Sequence, residues 1–252
     1  MNKILVVGGG AAGMMAAVTA ARNGKKVRLI EKNEKLGKKL FITGKGRCNI
    51  TNAADIEDLF SAVVSNPKFL YSSFYSMTND QVIDFFEELG VKTKVERGGR
   101  VFPESDHSSD VIRALEQEMK RLGIEIRLRT EAEEILAEDG RVTGVRLSSG
   151  KELHADAVII ATGGISYPST GSTGDGYRFA RECGHKVADL SPALVPMEVK
   201  EWYARELMGL SLRNVEIRIT DGKKKLYEEF GEMLFTHYGV TGPVILSASS
   251  IV

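Results

Sequence analysis

A glycine-rich turn set between two apolar runs limits the fold of this chain more than anything else in it. Residues 4–7 read Ile-Leu-Val-Val, a short β-branched run without polar alternation, which suits a parallel strand buried on both faces. Gly8, Gly10 and Gly13 follow in G-x-G-x-x-G spacing. Small residues over 11–21 predict a helix that Gly24 ends at its C′ position. Residues 27–30 predict a second strand, with Glu31 at its end and Lys32 next to it. Each residue type has a physical task. Gly8 permits the tight turn from strand to helix, Gly10 lets a pyrophosphate approach the backbone, and Gly13 lets the helix pack close to the strand. The helix N-terminus, with Ala11 and Ala12 in its first turn, offers N–H groups and a partial positive charge to phosphates. Glu31 stands where an acid about 20 residues beyond the turn accepts from a ribose 2′-hydroxyl and repels a 2′-phosphate. The glycine spacing alone is a weak signal; with the strand, the helix and the acid it points to a dinucleotide site.

The bulk numbers bound the class. A chain of 252 residues buries about 70–75% of its unfolded surface, enough for one large domain or one and a half. A hydrophobic fraction of 42% with 27% charged residues describes a globular protein. Lys plus Arg and Asp plus Glu number 34 each, so the charge favours neither nucleic acid nor an anionic membrane. A small-molecule substrate is the expected partner, and the oligomeric state stays open. No apolar run approaches the ~20 residues that span a bilayer. The opening apolar stretch is too short for a signal peptide, so a cytoplasmic protein is expected. Two cysteines, Cys48 and Cys183, make no disulfide framework, and no metal ligands are assigned.

Residues 32–52 are basic and punctuated by glycine. Gly44-Lys45-Gly46-Arg47 can bring backbone N–H groups and an arginine fork to one anion, and a solvated basic loop is the plainer alternative. The run Gly-Lys-Gly-Arg-Cys-Asn-Ile-Thr-Asn of residues 44–52, behind Gly-Gly-Gly-Ala-Ala-Gly, resembles the BaiN/YhiN-like flavoproteins. These are usually described as NAD(P)/FAD-dependent oxidoreductases and include aminoacetone oxidase-type FAD-binding enzymes. The resemblance implies that this segment wraps the FAD pyrophosphate and flavin edge, and that Thr43, Gly46, Arg47, Cys48, Asn49 and Thr51 line the cofactor. Flavin disulfide reductases carry two cysteines five positions apart; no second cysteine lies near Cys48, which excludes that relay. Cys48 is left as either a small buried thiol or a flavin contact.

Residues 53–90 read as helices. Asp55 caps the first, Asn66-Pro67 starts another, and Thr78 with Gln81 makes a capping box for a helix over 80–89 that Gly90 ends. Phe69, Phe74, Phe85 and Phe86 are expected core contacts. Residues 91–95 predict a strand, and 97–103 a turn and extended piece that resembles the family's Gly-Arg-Val-Phe-Pro segment. Ser108 or Ser109 caps a helix over 110–122, closed by Gly123, with His107 in the loop before it. Residues 124–129 should be the third parallel strand. A meander follows over 133–137, 142–147 and 152–154, with turns at Asp139-Gly140 and Ser149-Gly150. Residues 158–164 predict another buried strand and a glycine turn. A meander before a strand ending Ala-Thr-Gly resembles the second FAD signature of the glutathione-reductase-like fold. The resemblance implies that Ala132 offers its backbone to the adenine and that Ala161, Thr162 and Gly163 cover the AMP half. Both signatures in order favour FAD over NAD in the first site.

Gly171, Gly174 and Gly176 are spaced G-x-x-G-x-G with no buried strand immediately before them, which argues against a second Rossmann site. By resemblance this stretch runs along the cofactor with Gly174 near it, so any NAD(P)H reductant would bind transiently against the flavin. From Ser191 the character changes. Residues 210–220, an Asp221-Gly222 turn and residues 225–235 predict a hairpin, and Pro243 is placed at N1 of a closing helix. His237, in the family-like segment 235–243, is either a proton donor near the flavin or a structural histidine. Family members continue past the point where Val252 falls and return to the FAD domain, so the chain reads as a fragment.

The expected fold is α/β: a glutathione-reductase-like Rossmann FAD-binding domain with a β-meander over 1–190, plus the start of an inserted β-rich second domain over 191–252. The expected function is an FAD-dependent oxidoreductase passing hydride between the flavin and a small organic substrate, with NAD(P)H or oxygen as partner and no catalytic residue assigned. Two alternatives stay open: a non-catalytic FAD/ADP-binding module and an NAD-dependent dehydrogenase. Against a flavin-dependent RNA-modifying enzyme stands the balanced charge.

Overall fold

The predicted β-α-β opening is present as β1 (Lys3–Val7), α1 (Ala11–Arg22) and β2 (Lys26–Ile30) in the computed structural model, which describes residues 3–252. These elements belong to a first unit that runs to Phe60 and resumes over Lys68–Val187; Ser61–Pro67 and Ala188–Val252 form the second. In the first unit four parallel strands lie in the order Ala157–Ile160, β1, β2, Glu125–Arg127. The absence of alternation in β1 has a direct cause. Val6 packs with Met14, Ala17 and Val18 of α1 and with Val111, Leu115 and Met119 of the helix Ser108–Arg121. Leu5 and Val7 face the other way, onto Ala132, Val145, Leu147, Leu153 and Phe179. The sheet is therefore covered by helices on one face and by the meander on the other.

The meander strands Ala132–Glu138, Arg141–Leu147 and Glu152–His154 pair antiparallel. The helices end as expected. The N–H groups of Gly24, Gly90 and Gly123 reach Ala21, Glu87 and Lys120, and the residue after each glycine reaches one carbonyl further back. That pair of bonds is the Schellman motif, which satisfies carbonyls a helix end leaves open. The capping box is formed too: the Gln81 N–H donates to Thr78 Oγ1 at 3.2 Å and the Thr78 N–H to Gln81 Oε1 at 2.9 Å.

Several expectations are corrected. Within residues 32–52, where the sequence reading placed no helix, lies the helix Lys38–Ile42, which we label α2. His107, not Ser108 or Ser109, takes the N-cap place of the helix Ser108–Arg121, and Ser108 Oγ instead donates to the Phe41 carbonyl at 2.8 Å. Phe85 and Phe86 are buried, whereas Phe69, on the short turn Pro67–Leu70, is 78% exposed. Phe74 is half-buried, its ring 5.0 Å from that of Phe60. Strand Ala157–Ile160 is an edge strand, so it is only partly covered and Ile160 is exposed.

The second unit holds an antiparallel sheet in the order Met197–Glu198, Gly239–Thr241, Lys224–Phe235, Ser211–Asp221. Pro243 opens the helix Pro243–Ala248, which buries Val244, Ile245 and Ala248. Among the described residues no helix is long and apolar enough to cross a membrane.

Candidate functional site

The loops at the C-terminal ends of β1, β2 and strand Ala157–Ile160 surround a cavity of about 610 Å³ within the first unit. Binding at the C-terminal ends of parallel strands is the general rule for open α/β sheets. Of the residues the sequence marks, Gly8, Gly10, Ala11, Ala12, Glu31, Lys32, Thr43, Ala132, Ala161, Thr162 and Gly163 line this cavity. Gly13, Gly46, Arg47, Cys48, Asn49, Thr51 and Gly174 are not among its lining residues.

The glycines divide by what surrounds them. The Gly8 N–H donates to the Ile30 carbonyl at 2.9 Å, and a Cβ on Gly8 would lie 2.4 Å from the Ala161 carbonyl oxygen. A Cβ on Gly13 would lie 1.8 Å from the Gly8 carbonyl oxygen. Both glycines serve contact between chain segments. At Gly10 a Cβ would meet nothing within 4 Å. Gly10 is the N-cap of α1, no side chain caps that end, and Ala11 and Ala12 are exposed there. The first turn therefore presents backbone N–H groups and the positive end of the helix dipole to the cavity.

Beside the glycine turn lies Glu31, which is buried. Its Oε2 accepts from the Gly9 N–H at 2.6 Å; its Oε1 accepts from the Asn33 N–H at 2.8 Å and from Asn33 Nδ2 at 2.6 Å. The carboxylate thus fastens the glycine turn while it lines the cavity. A second wall is tied on by long-range bonds. Lys32 Nζ donates to Thr173 Oγ1 at 2.6 Å and pairs with Asp175 at 2.7 Å. Lys39 Nζ donates to Ser172 Oγ and to the Ser166 carbonyl, both at 2.7 Å. Asn33 Nδ2 also reaches the Thr170 carbonyl at 3.2 Å. Thr162 Oγ1 is buried without a partner among the described residues and sits where a Cβ on Gly176 would come within 2.9 Å of it.

Sequence reading passed over Asn33, Lys38, Lys39, Ser172 and Asp175, all of which line the cavity. Asn33 had one local signal, its place two residues after the acid. The partners of Lys32 and Lys39 lie 127 to 143 positions away, where spacing carries no information.

The segment carrying residues 43–51 has its own chemistry. Arg47 Nε–H donates to Asp106 at 2.7 Å, its guanidinium pairs with Glu96, and it lies 4.1 Å over the Phe102 ring. Lys94 joins Asp106 at 2.6 Å. The Glu96 and Asp106 hydrogen bonds raise the Arg47 pKa; Lys94 and then Arg47 lower that of Asp106. The arginine fork is thus already occupied by carboxylates. Cys48 is 1% exposed, and burial pushes its thiol up against a hydrogen bond from Thr43 that lowers it. A thiol held in its neutral form is a poor nucleophile. Thr51 pairs with Val101 in a short strand. Gly174 is the N-cap of the helix Asp175–Glu182. His237 lies in the second unit, exposed, its ring edge-on to Tyr238 at 4.5 Å.

Comparison with known proteins places this geometry. Residues 2–247 match the family model described as HI0933-like protein Rossmann domain. The chain is 35% identical over 253 residues to the 3-dehydro-bile acid delta(4,6)-reductase of Clostridium scindens, covering 99% of this chain and 60% of that protein. It is 30% identical over 250 residues to the ribosomal RNA dihydrouridine synthase of Haemophilus influenzae, covering 98% of this chain and again 60% of the relative. The chain thus spans about 60% of the length of these curated relatives. Among solved structures, the open conformation of a flavocytochrome c3 fumarate reductase superposes with a TM-score of 0.56 at 21% identity, over 84% of this chain and 47% of the other. At that identity the likeness is one of fold.

Proposed function

This chain belongs to the family of HI0933-like proteins with a Rossmann domain, and from that premise we propose that it binds FAD and works as an FAD-dependent oxidoreductase. The observation that carries the reading is the pairing of an open glycine with a buried acid in the lining of one cavity. Gly10 leaves space that no protein atom fills, at an uncapped helix N-terminus, and buried Glu31 borders the same cavity. That donor and acceptor set fits a pyrophosphate joined to an adenosine ribose. Gly10, Ala11 and Ala12 would hold the pyrophosphate, with Gly8 making the tight turn and Gly13 the close helix packing that shape the site, and Glu31 and Lys32 would border the ribose side. Ala132 would face the adenine, Ala161, Thr162 and Gly163 would cover the AMP half, Gly174 would lie near the cofactor, and the segment with Thr43, Gly46, Arg47, Cys48, Asn49 and Thr51 would border the flavin edge. Bound FAD would supply acceptance and release of hydride; the chain's residues bind it, orient it and keep water from it.

In this reading the substrate is a small organic molecule, residues 1–190 form the FAD domain and residues 191–252 the substrate side. NAD(P)H would act as a transient reductant. The test is equilibrium dialysis of the purified chain against FAD and NAD, followed by a visible absorption spectrum. Retained flavin with weaker NAD binding is expected; NAD retained in preference to FAD overturns the assignment in favour of an NAD-dependent dehydrogenase. Flavin retained but not reduced by NAD(P)H would leave a binding module.

A second reading has a specific observation behind it. A relative at 30% identity is named a ribosomal RNA dihydrouridine synthase. The net charge of a chain spanning 60% of that relative carries no exclusion of RNA, so the expectation of no nucleic acid drawn from charge balance does not stand by itself. An increase in uracil reduction in ribosomal RNA incubated with the flavin-loaded protein and NAD(P)H would favour it over the small-molecule substrate.

A further inference from the structure

Resting on the dinucleotide reading of the cavity, we infer that Asn33 is a positioning residue: it fixes the Glu31 carboxylate so that the site discriminates a ribose 2′-hydroxyl from a 2′-deoxyribose. Glu31 is buried but has no salt bridge among the described residues. Its orientation comes from neutral donors alone. Oε2 takes the Gly9 N–H, and Oε1 takes both the main-chain N–H and the side-chain amide of Asn33. A carboxylate offers about four lone-pair sites. With three of them directed at chain donors, the plane of the group is set and the remaining capacity is left for the cavity that Glu31 lines.

The Asn33 amide is itself held from three sides. Lys38 Nζ donates to its Oδ1 at 3.2 Å, which fixes which end is oxygen. The second Nδ2 hydrogen goes to the Thr170 carbonyl at 3.2 Å. Gly171 supplies the space: a Cβ there would come within 2.5 Å of Asn33 Nδ2. One side chain therefore joins the end of β2, α2 and the 168–171 turn, and it delivers its best-placed donor to the acid. Among the described residues no cation pairs with Glu31, so a ligand hydroxyl competes with no salt bridge for the acceptor site that remains.

The experiment is calorimetric titration of the whole chain, stripped of nucleotide, with ADP and with 2′-deoxy-ADP. The wild type should prefer ADP by about tenfold, the scale of one hydrogen bond to a charged group. Asn33→Ala should weaken ADP about tenfold while changing 2′-deoxy-ADP by about twofold at most, collapsing the ratio. Asn33→Ser, a smaller perturbation that keeps a hydroxyl donor, should give an intermediate ratio and serves if the alanine variant does not fold. A wild-type ratio in either folded variant overturns the inference, as do equal losses for both nucleotides, which mark a merely structural residue. A wild type that binds both nucleotides without preference overturns it as well. Binding of neither nucleotide by the wild type is a different failure, since it removes the dinucleotide reading beneath it.

Discussion

Two glutamates are buried in the first unit, and they are held in opposite ways. Glu118, 4% exposed on the helix Ser108–Arg121, is gripped by Arg121 Nε at 2.7 Å and by Arg22 Nε at 2.9 Å. Glu31, 8% exposed at the end of β2, meets only N–H donors that carry no charge and borders an open cavity. A buried carboxylate closed on cations is fully committed to the fold, and it becomes a liability once a partner is removed. A buried carboxylate closed on neutral donors is stable enough to form and still has acceptor capacity facing outward. The glycines of the opening turn repeat the distinction: Gly13 is closed on protein, Gly10 is not.

The largest test of this contrast uses those glycines. Gly13→Ala should destabilise by about 3 kcal/mol, although alanine inside a helix otherwise gains about 1 kcal/mol over glycine. Gly10→Ala should stay within about 0.5 kcal/mol of wild type while FAD retention falls at least about tenfold. Urea unfolding beside a spin-column flavin assay measures both, and equal effects on either axis would break the comparison. Next comes pH. The Arg121 hydrogen bond, followed by that of Arg22, outweighs desolvation and lowers the Glu118 carboxyl from 4.5 to about 2. Because the folded value is depressed, the contribution is complete above the unfolded value and is lost as pH falls toward 2. Glu118→Gln should therefore cost about 2 kcal/mol at neutral pH, and the gap to wild type should close in urea titrations taken from pH 5 down to about 2. A gap that is constant with pH would mean the arginines do not set this carboxyl. A smaller loss of stability than that of Glu118→Gln is expected for Glu31→Gln, about 1 kcal/mol, with ADP affinity falling about tenfold. If Glu31→Gln cost more stability than Glu118→Gln and left ADP binding alone, the roles assigned to the two glutamates would be reversed.

The frame of the first unit was legible because its signals are local. Ile4 to Val7 lacks alternation since both faces of β1 are covered. Thr78 and Gln81 form their box within four residues, and Gly24, Gly90 and Gly123 close helices with bonds inside one turn. What escaped is either short or non-local. Five residues of α2 are too few to show a helical period. Arg47 reads in sequence as a free anion fork, yet Glu96 and Asp106, 49 and 59 positions away, occupy it. Phe69 looks like a core residue by type, and only its place on a surface turn exposes it. Asn33 and Lys39 gain their roles from Thr170 and Ser172, partners no local pattern names.

Those long ties have a consequence for how the molecule is made. The glycine turn, Glu31 and α2 are present by residue 43, but the wall that Lys32, Lys39 and Asn33 tie to them arrives only with residues 166–175. During synthesis the glycine turn must wait through more than half of the chain before its enclosure closes. A nucleotide that needs both walls would therefore bind only chains in which residues 166–175 have docked against α2 and the end of β2.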